Sequence, residues 1–122
     1  MVIEIRDSSE VPIYLQLRNQ IVSGISSGAL ASGEQLPTVR ALAAELGVNA
    51  MTVSKAYQLL KQEGFIVSDR RNGARVREKR PQDGALSPEG REQLRVLAAE
   101  AKARGMSRED FLAMCGTYFG EE

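Results

Sequence analysis

The chain has 122 residues, 43% apolar and 26% charged, the composition of a soluble globular protein with room for one core of ordinary size and a small appendage. It has no histidine and one cysteine, Cys115, which excludes a Ser–His or Cys–His nucleophile pair, an ordinary zinc site and an intrachain disulfide. Basic and acidic side chains balance at 16 each, yet residues 1–80 carry 11 basic against 8 acidic and residues 81–122 carry 5 against 8, so the two parts differ in sign.

The opening run Val2-Ile3-Glu4-Ile5-Arg6 alternates weakly, as a short edge strand or an arm does. It lacks the basic and apolar regions of a signal peptide. A first helix is expected from near Pro12, with Tyr14, Leu17, Ile21 and Ile25 on one face and its end by Gly28. A second follows Leu36-Pro37, capped by Thr38, with Val39, Leu42, Ala43 and Leu46 at helical spacing. Gly47 takes the left-handed conformation that stops it, and Asn49 caps a third helix carrying Val53, Ala56, Tyr57 and Leu60. Two short helices joined by a tight glycine-containing turn make a helix-turn-helix, whose second helix suits the major groove of DNA.

Gly64 closes the third helix. Two β-prone runs, Phe65–Ser68 and Ala74–Arg77, then flank Asn72-Gly73, a pair that tolerates the positive φ of a tight hairpin turn. A hairpin in this place is a wing, with Arg70, Arg71, Asn72 and Arg75 at its tip. Residues 70–80 hold six basic side chains, Lys79 and Arg80 among them, against Glu78 alone. Such a local patch, more than whole-chain charge, is the footprint of phosphate binding.

Residues 81–86 read as a linker between a domain at 1–80 and a helical segment at 87–122. Ser87-Pro88-Glu89 starts a helix with Leu94, Leu97, Ala98 and Ala101 on one face, ended by Gly105. Ser107 starts another, with Asp110 in place of the usual Glu or Gln of a capping box. Phe111, Leu112, Cys115, Tyr118 and Phe119 form its apolar stripe, and Cys115 reads as a buried free thiol. Two helices cannot bury both stripes alone. Either they pack on the preceding domain or on a second subunit, and the second subunit is expected. The fold class is therefore mainly α with a small β-hairpin: an N-terminal winged helix-turn-helix and a short C-terminal two-helix dimerisation segment.

One stretch closely resembles the GntR family of bacterial transcription regulators: Gly33-Glu34-Gln35-Leu36-Pro37-Thr38-Val39-Arg40-Ala41-Leu42-Ala43, Leu46-Gly47-Val48-Asn49, Thr52-Val53-Ser54-Lys55-Ala56-Tyr57, Leu60 and Gly64. The likeness begins upstream at Pro12-Ile13-Tyr14-Leu15-Gln16-Leu17 and Ile25–Leu30, and it covers about residues 10–77. The brief tail resembles the YtrA-type branch, whose members carry a short helical dimerisation segment. The resemblance implies a homodimeric, cytoplasmic repressor bound to a two-fold double-stranded operator. It implies no cofactor; an effector, if one acts, would bind between the two parts or at the dimer interface.

The resemblance also places residues. It implies that Arg40 contacts DNA, as guanidinium chemistry allows toward phosphate or guanine, the rival reading being a surface ion pair with Glu45 or Glu34. It brings Asn49, Ala50, Met51 and Thr52 to the groove. Many relatives have arginine at the Ala50 position and some at the Ser54 position; this chain departs at both, so readout shifts to Ala50 and Met51 against thymine methyls, with Asn49 and Thr52 hydrogen-bonding. Asn49 serves equally well as a cap alone. Lys55 is expected to reach a phosphate and Thr38 to supplement Arg40. Gly73 matches a family glycine approaching the minor groove, although Asn72 and Gly73 are equally plain turn residues. The wing arginines have a second reading too, as solubilising charges on a strand edge. Enzyme activity is not expected: no phosphate loop and no paired-carboxylate constellation occurs. The rival from another class is a winged-helix module that binds protein in place of DNA.

Overall fold

The computed structural model describes residues 2–78 and 84–120. The chain divides into two units, Met1–Pro81 and Gln82–Glu122. The first contains α1 (Ile13–Ser27), α2 (Val39–Leu46), α3 (Ala50–Gln62), β1 (Ile66–Asp69) and β2 (Gly73–Val76); the second contains α4 (Pro88–Ala103) and α5 (Arg108–Phe119).

In the first unit, the apolar faces of three helices and two strands close on one core. Leu17 and Ile21 of α1, Leu42 of α2, Val53 and Leu60 of α3, Ile66 of β1 and Val76 of β2 are fully buried. Each such burial stabilises by about 1.5–3 kcal/mol, which is why the 3.6-residue spacing is a sufficient guide to the helices. Local chemistry sets the boundaries. Thr38 Oγ1 accepts the Ala41 N–H at 3.1 Å, and Asn49 Oδ1 accepts that of Met51 at 2.8 Å. Between them Gly47 sits at φ 69°, ending α2 and turning the chain into α3 within three residues.

β1 and β2 pair antiparallel in the register Ile66↔Val76, Val67↔Arg75, Ser68↔Ala74 and Asp69↔Gly73. The stretch before α2 holds the hairpin from its other edge: Gly33 N–H donates to Val76 O, Leu36 N–H to Ala74 O, and Val76 N–H to Glu34 O. The turn differs from a two-residue Asn-Gly hairpin. Its loop is Arg70-Arg71-Asn72; Asn72 keeps a negative φ and Gly73 alone is left-handed, at 67°. Asp69 causes this, because its Oδ1 accepts the N–H groups of both Arg71 and Asn72 and so starts the turn at Arg70.

The N-terminal residues form an arm and not a strand. Gln16 and Gln20 of α1 act as side-chain partners for it: Oε1 of Gln20 accepts the Glu4 N–H at 2.9 Å, and Oε1 of Gln16 accepts the Arg6 N–H at 2.8 Å. Each amide returns a donor to the same residue's carbonyl. Arg18 crosses from α1 to the end of α3, where its guanidinium grips both carboxylate oxygens of Glu63 at 2.9 and 2.8 Å and lies 5.7 Å from the Phe65 ring.

In the second unit Ser87 caps α4 through Gly90 N–H and Ser107 caps α5 through Asp110 N–H. Pro88 is in the opening turn of α4. Asp110 is too short to complete the capping box, and no return bond to Ser107 N–H forms among the described residues. No residue of α4 or α5 is buried. Cys115, expected as a buried thiol, is only half-buried. Leu97, Leu112, Tyr118 and Phe119 are all more than half exposed. Of the expected linker, residues 81–83 lie outside the described residues, and Gly84–Leu86 is exposed.

Candidate nucleic-acid interface

The first turn of α2, one stripe of α3 and the hairpin border a common cleft of about 310 Å³. Its α3 wall is Ser54, Gln58 and Lys61, at i, i+4 and i+7, the stripe flanking the buried face of Val53, Ala56 and Leu60. Thr38 and Val39 lie at its α2 edge; Ser68, Asp69, Gly73 and Ala74 lie at its hairpin edge. Tyr57 braces the floor, its Oη donating to the Pro37 carbonyl at 2.8 Å. Burial pushes the Tyr57 phenol up to about 12, so the donor is fully protonated at neutral pH.

Arg40 is the second residue of α2, exposed, with neither Glu34 nor Glu45 paired to it among the described residues. Thr38 spends its oxygen on the helix cap and keeps its O–H proton for another acceptor. Asn49 is a cap in fact, yet only its carbonyl oxygen is used, which leaves the amide N–H groups available. Ala50 is exposed, Thr52 half-buried, and Met51 is 78% exposed at the tip of α3, an unusual place for a thioether without a partner.

Two expected contacts are placed differently. Lys55 does not extend freely toward a groove: its Nζ rests 4.0 Å from the centre of the Tyr14 ring on α1, a cation–π pair. Arg75 is not at the hairpin tip. It sits within β2 opposite Val67, and its Nη1 bonds Asp69 Oδ2 at 3.1 Å. Asp69 is the anchor of the turn; the Asn72 N–H first and the Arg75 guanidinium next hold its carboxyl below the usual range. The tip proper is Arg70, Arg71 and Asn72, all exposed, and neither arginine side chain is bonded within the described residues. Lys79 and Arg80 lie outside the described residues.

Four contributors were not singled out from the sequence: Gln35, Gln58, Lys61 and Ser68. Gln35 Nε2 donates to the Asn72 carbonyl at 2.9 Å, tying the turn to the approach of α2. Lys61 Nζ donates to Ser68 Oγ at 3.0 Å, from α3 to β1. Among the described residues no cluster of His, Cys, Asp and Glu could hold a metal, and no helix is long and apolar enough to cross a membrane. The arrangement presents unpaired guanidinium groups beside an exposed helix tip, a surface suited to a polyanion with readable edges.

Residues 13–76 match the family described as "Bacterial regulatory proteins, gntR family". The chain belongs to the GntR family. It is 37% identical over 99 residues to the HTH-type transcriptional regulator Rv1152 of Mycobacterium tuberculosis, covering 81% of this chain and 78% of that one. YtrA from Sulfolobus acidocaldarius, a GntR-family transcription factor, is 39% identical and superposes with a TM-score of 0.59 over 93% of this chain and 92% of its own. A structure described as a transcriptional antiterminator from Listeria monocytogenes EGD-e aligns with a TM-score of 0.87 at 28% identity, over 99% and 92% of the two chains. The DNA-binding domain of AraR, solved with its operator ORX1, aligns over 62% of this chain and 98% of its own with a TM-score of 0.56 and 26% identity. This GntR-family chain is thus a winged helix-turn-helix regulator of the YtrA type, with the hairpin as its wing and α3 in the place of the recognition helix.

Proposed function

We propose that this protein is a cytoplasmic, homodimeric transcription repressor that binds a two-fold DNA operator. The observation that carries the reading is the set of exposed guanidinium groups without partners among the described residues, Arg40 on α2 and Arg70 and Arg71 at the wing tip, on the elements that border one cleft with α3. A protein that leaves three such cations unpaired near one cleft has not spent them on its own stability. Arg40 supplies a charge-assisted contact to phosphate or guanine. Ala50 and Met51 meet thymine methyls, and Asn49 offers its amide N–H groups to base or phosphate. Thr38 donates its hydroxyl to a phosphate, and Gly73 lets the wing backbone approach the minor groove.

Dimerisation rests on α4 and α5. Leu94, Leu97, Tyr118 and Phe119 are exposed apolar side chains, Ala101 and Phe111 are half-buried, and Leu112 and Cys115 belong to the same stripe. A second copy covers them, and two-fold symmetry matches the symmetry of most helix-turn-helix operators.

The exposed Met51 favours one rival, a winged-helix module that docks a protein through an apolar helix tip. Footprinting on the DNA upstream of the protein's own coding sequence, across a salt series, separates the two. A two-fold protected site with half-sites about one helical turn apart, weakening steeply with salt, is the expected result. No protection at low salt would overturn the reading in favour of the protein-binding module.

A further inference from the structure

Lys61 is outside the set of DNA contacts proposed for α2, the start of α3 and the wing tip. It lies in the last turn of α3, three turns from the helix tip that faces bases, and its ammonium enters the cleft between α3 and the wing. One of its three N–H donors goes to Ser68 Oγ, and no other acceptor among the described residues takes the remaining two. The other ionised group of the cleft, Asp69, is already committed to Arg71 N–H, Asn72 N–H and the Arg75 guanidinium. The cleft therefore has a cation with free donors, and its carboxylate is charge-paired with Arg75.

Holding the wing is not a sufficient reason for this lysine. Backbone bonds from Gly33, Leu36 and Arg77 fix the hairpin already. A hydrogen bond between two exposed side chains adds little to them.

The geometry of the duplex supplies a reason. A major groove and its neighbouring minor groove are separated by one sugar–phosphate strand. If α3 occupies the first and the wing the second, that strand must pass through the space between α3 and the wing. We infer that the cleft seats this strand and that Lys61 is a phosphate-binding residue, with Ser68 holding its ammonium in place. Pro37 and Ala74 give the cleft apolar walls for deoxyribose, and Gln58 and Ser54 give it neutral donors. Any duplex has such a strand, so the contact adds affinity at every sequence and no base preference.

The inference rests on the DNA-binding reading, and one salt titration of the full-length protein distinguishes their failures. Binding to a random-sequence duplex and to the upstream duplex is measured for the wild type, Lys61→Gln, Ser68→Ala and, as a charge control on α4, Lys102→Gln. The wild type is expected to bind both duplexes with a steep logarithmic salt dependence. Lys61→Gln should shrink that slope by about 0.9 and weaken both duplexes alike, as loss of one phosphate contact requires. Lys102→Gln should retain the wild-type slope. Ser68→Ala, which keeps the cation and loses its support, should keep the slope at reduced affinity. A Lys61→Gln protein with the wild-type slope refutes the phosphate contact, and equal loss in K61Q and S68A at unchanged slope makes Lys61 a wing support only. Absence of wild-type binding at low salt overturns the DNA-binding reading itself.

Discussion

Replacing Tyr57 by phenylalanine removes one oxygen and tests how the helix-turn-helix is locked. Tyr57 is 5% exposed, and its Oη is the bond between α3 and the Pro37 carbonyl ahead of α2. Pro37 is only half-buried, so water can replace the lost donor, and the net cost at neutral pH is about 0.5–1.5 kcal/mol. The pH dependence is the sharper readout. The folded phenol titrates at about 12 against the usual 10.0, because burial disfavours the phenolate. A raised folded value means that this stabilisation is whole below pH 10 and is lost as pH rises through 12. Linkage at about 1.36 kcal/mol per pH unit gives a loss of about 1.4 kcal/mol between pH 8 and pH 11, and about 2.7 kcal/mol once both forms have titrated. Urea unfolding of the wild type and Y57F at pH 8, 10 and 11 checks it by far-ultraviolet circular dichroism. Every other ionisable group is common to the two proteins, so its contribution cancels in the difference. The stability gap should close by pH 11. A gap that stays constant from pH 8 to pH 11 would show that the phenol is not the buried, neutral donor described here.

Three further outcomes follow from the same structure. Arg40→Ala should weaken operator binding about 5- to 150-fold, the equivalent of 1–3 kcal/mol, with an unchanged melting temperature because the side chain has no partner among the described residues; unaltered affinity in a gel-shift titration sinks the assignment. Arg18→Ala should lower folding stability by about 1–2 kcal/mol, since a bidentate, three-quarters-buried pair to Glu63 and the Phe65 contact go together; a melting temperature equal to the wild type's would refute it. A chain ending at Lys79 should sediment as a folded monomer with weak DNA binding, because the exposed stripes of α4 and α5 are gone; a dimer in that experiment assigns the interface elsewhere.

The helices were legible because each is specified locally. Thr38, Asn49, Ser87 and Ser107 each accept the N–H bond their position calls for, and Gly28, Gly47 and Gly105 adopt the positive φ that ends a helix. Such signals act within four residues and need no knowledge of the rest of the fold. The hairpin turn falls between the two β-prone runs, with pairing carried one residue further on each side, to Asp69 and Gly73. Asn72-Gly73 is a good turn pair, but Asp69 captures two N–H groups and wins. The Asp in that run was a readable signal, an Asx turn starting ahead of the glycine. Lys55 illustrates the opposite case: its partner Tyr14 is 41 positions earlier, and only the packing of α1 on α3 brings ring and ammonium together.

The candidate interface was legible to the extent that it is written on single elements. Arg40 at a helix start and Arg70 and Arg71 in a turn announce their exposure by position alone. The stripe Ser54, Gln58 and Lys61 is equally regular, yet regularity on the polar side of an amphipathic helix signals only solvent. What turns that stripe into the wall of a cleft is the return of the chain through Phe65, with β2 clamped between β1 and the Gly33–Leu36 stretch by bonds spanning about forty residues. Lys61, still exposed, then reaches across to β1, at a place where a duplex would lay its backbone. A polar helix face is thus a solvated surface until tertiary structure gives it an opposite wall, and in this fold the wing is that wall.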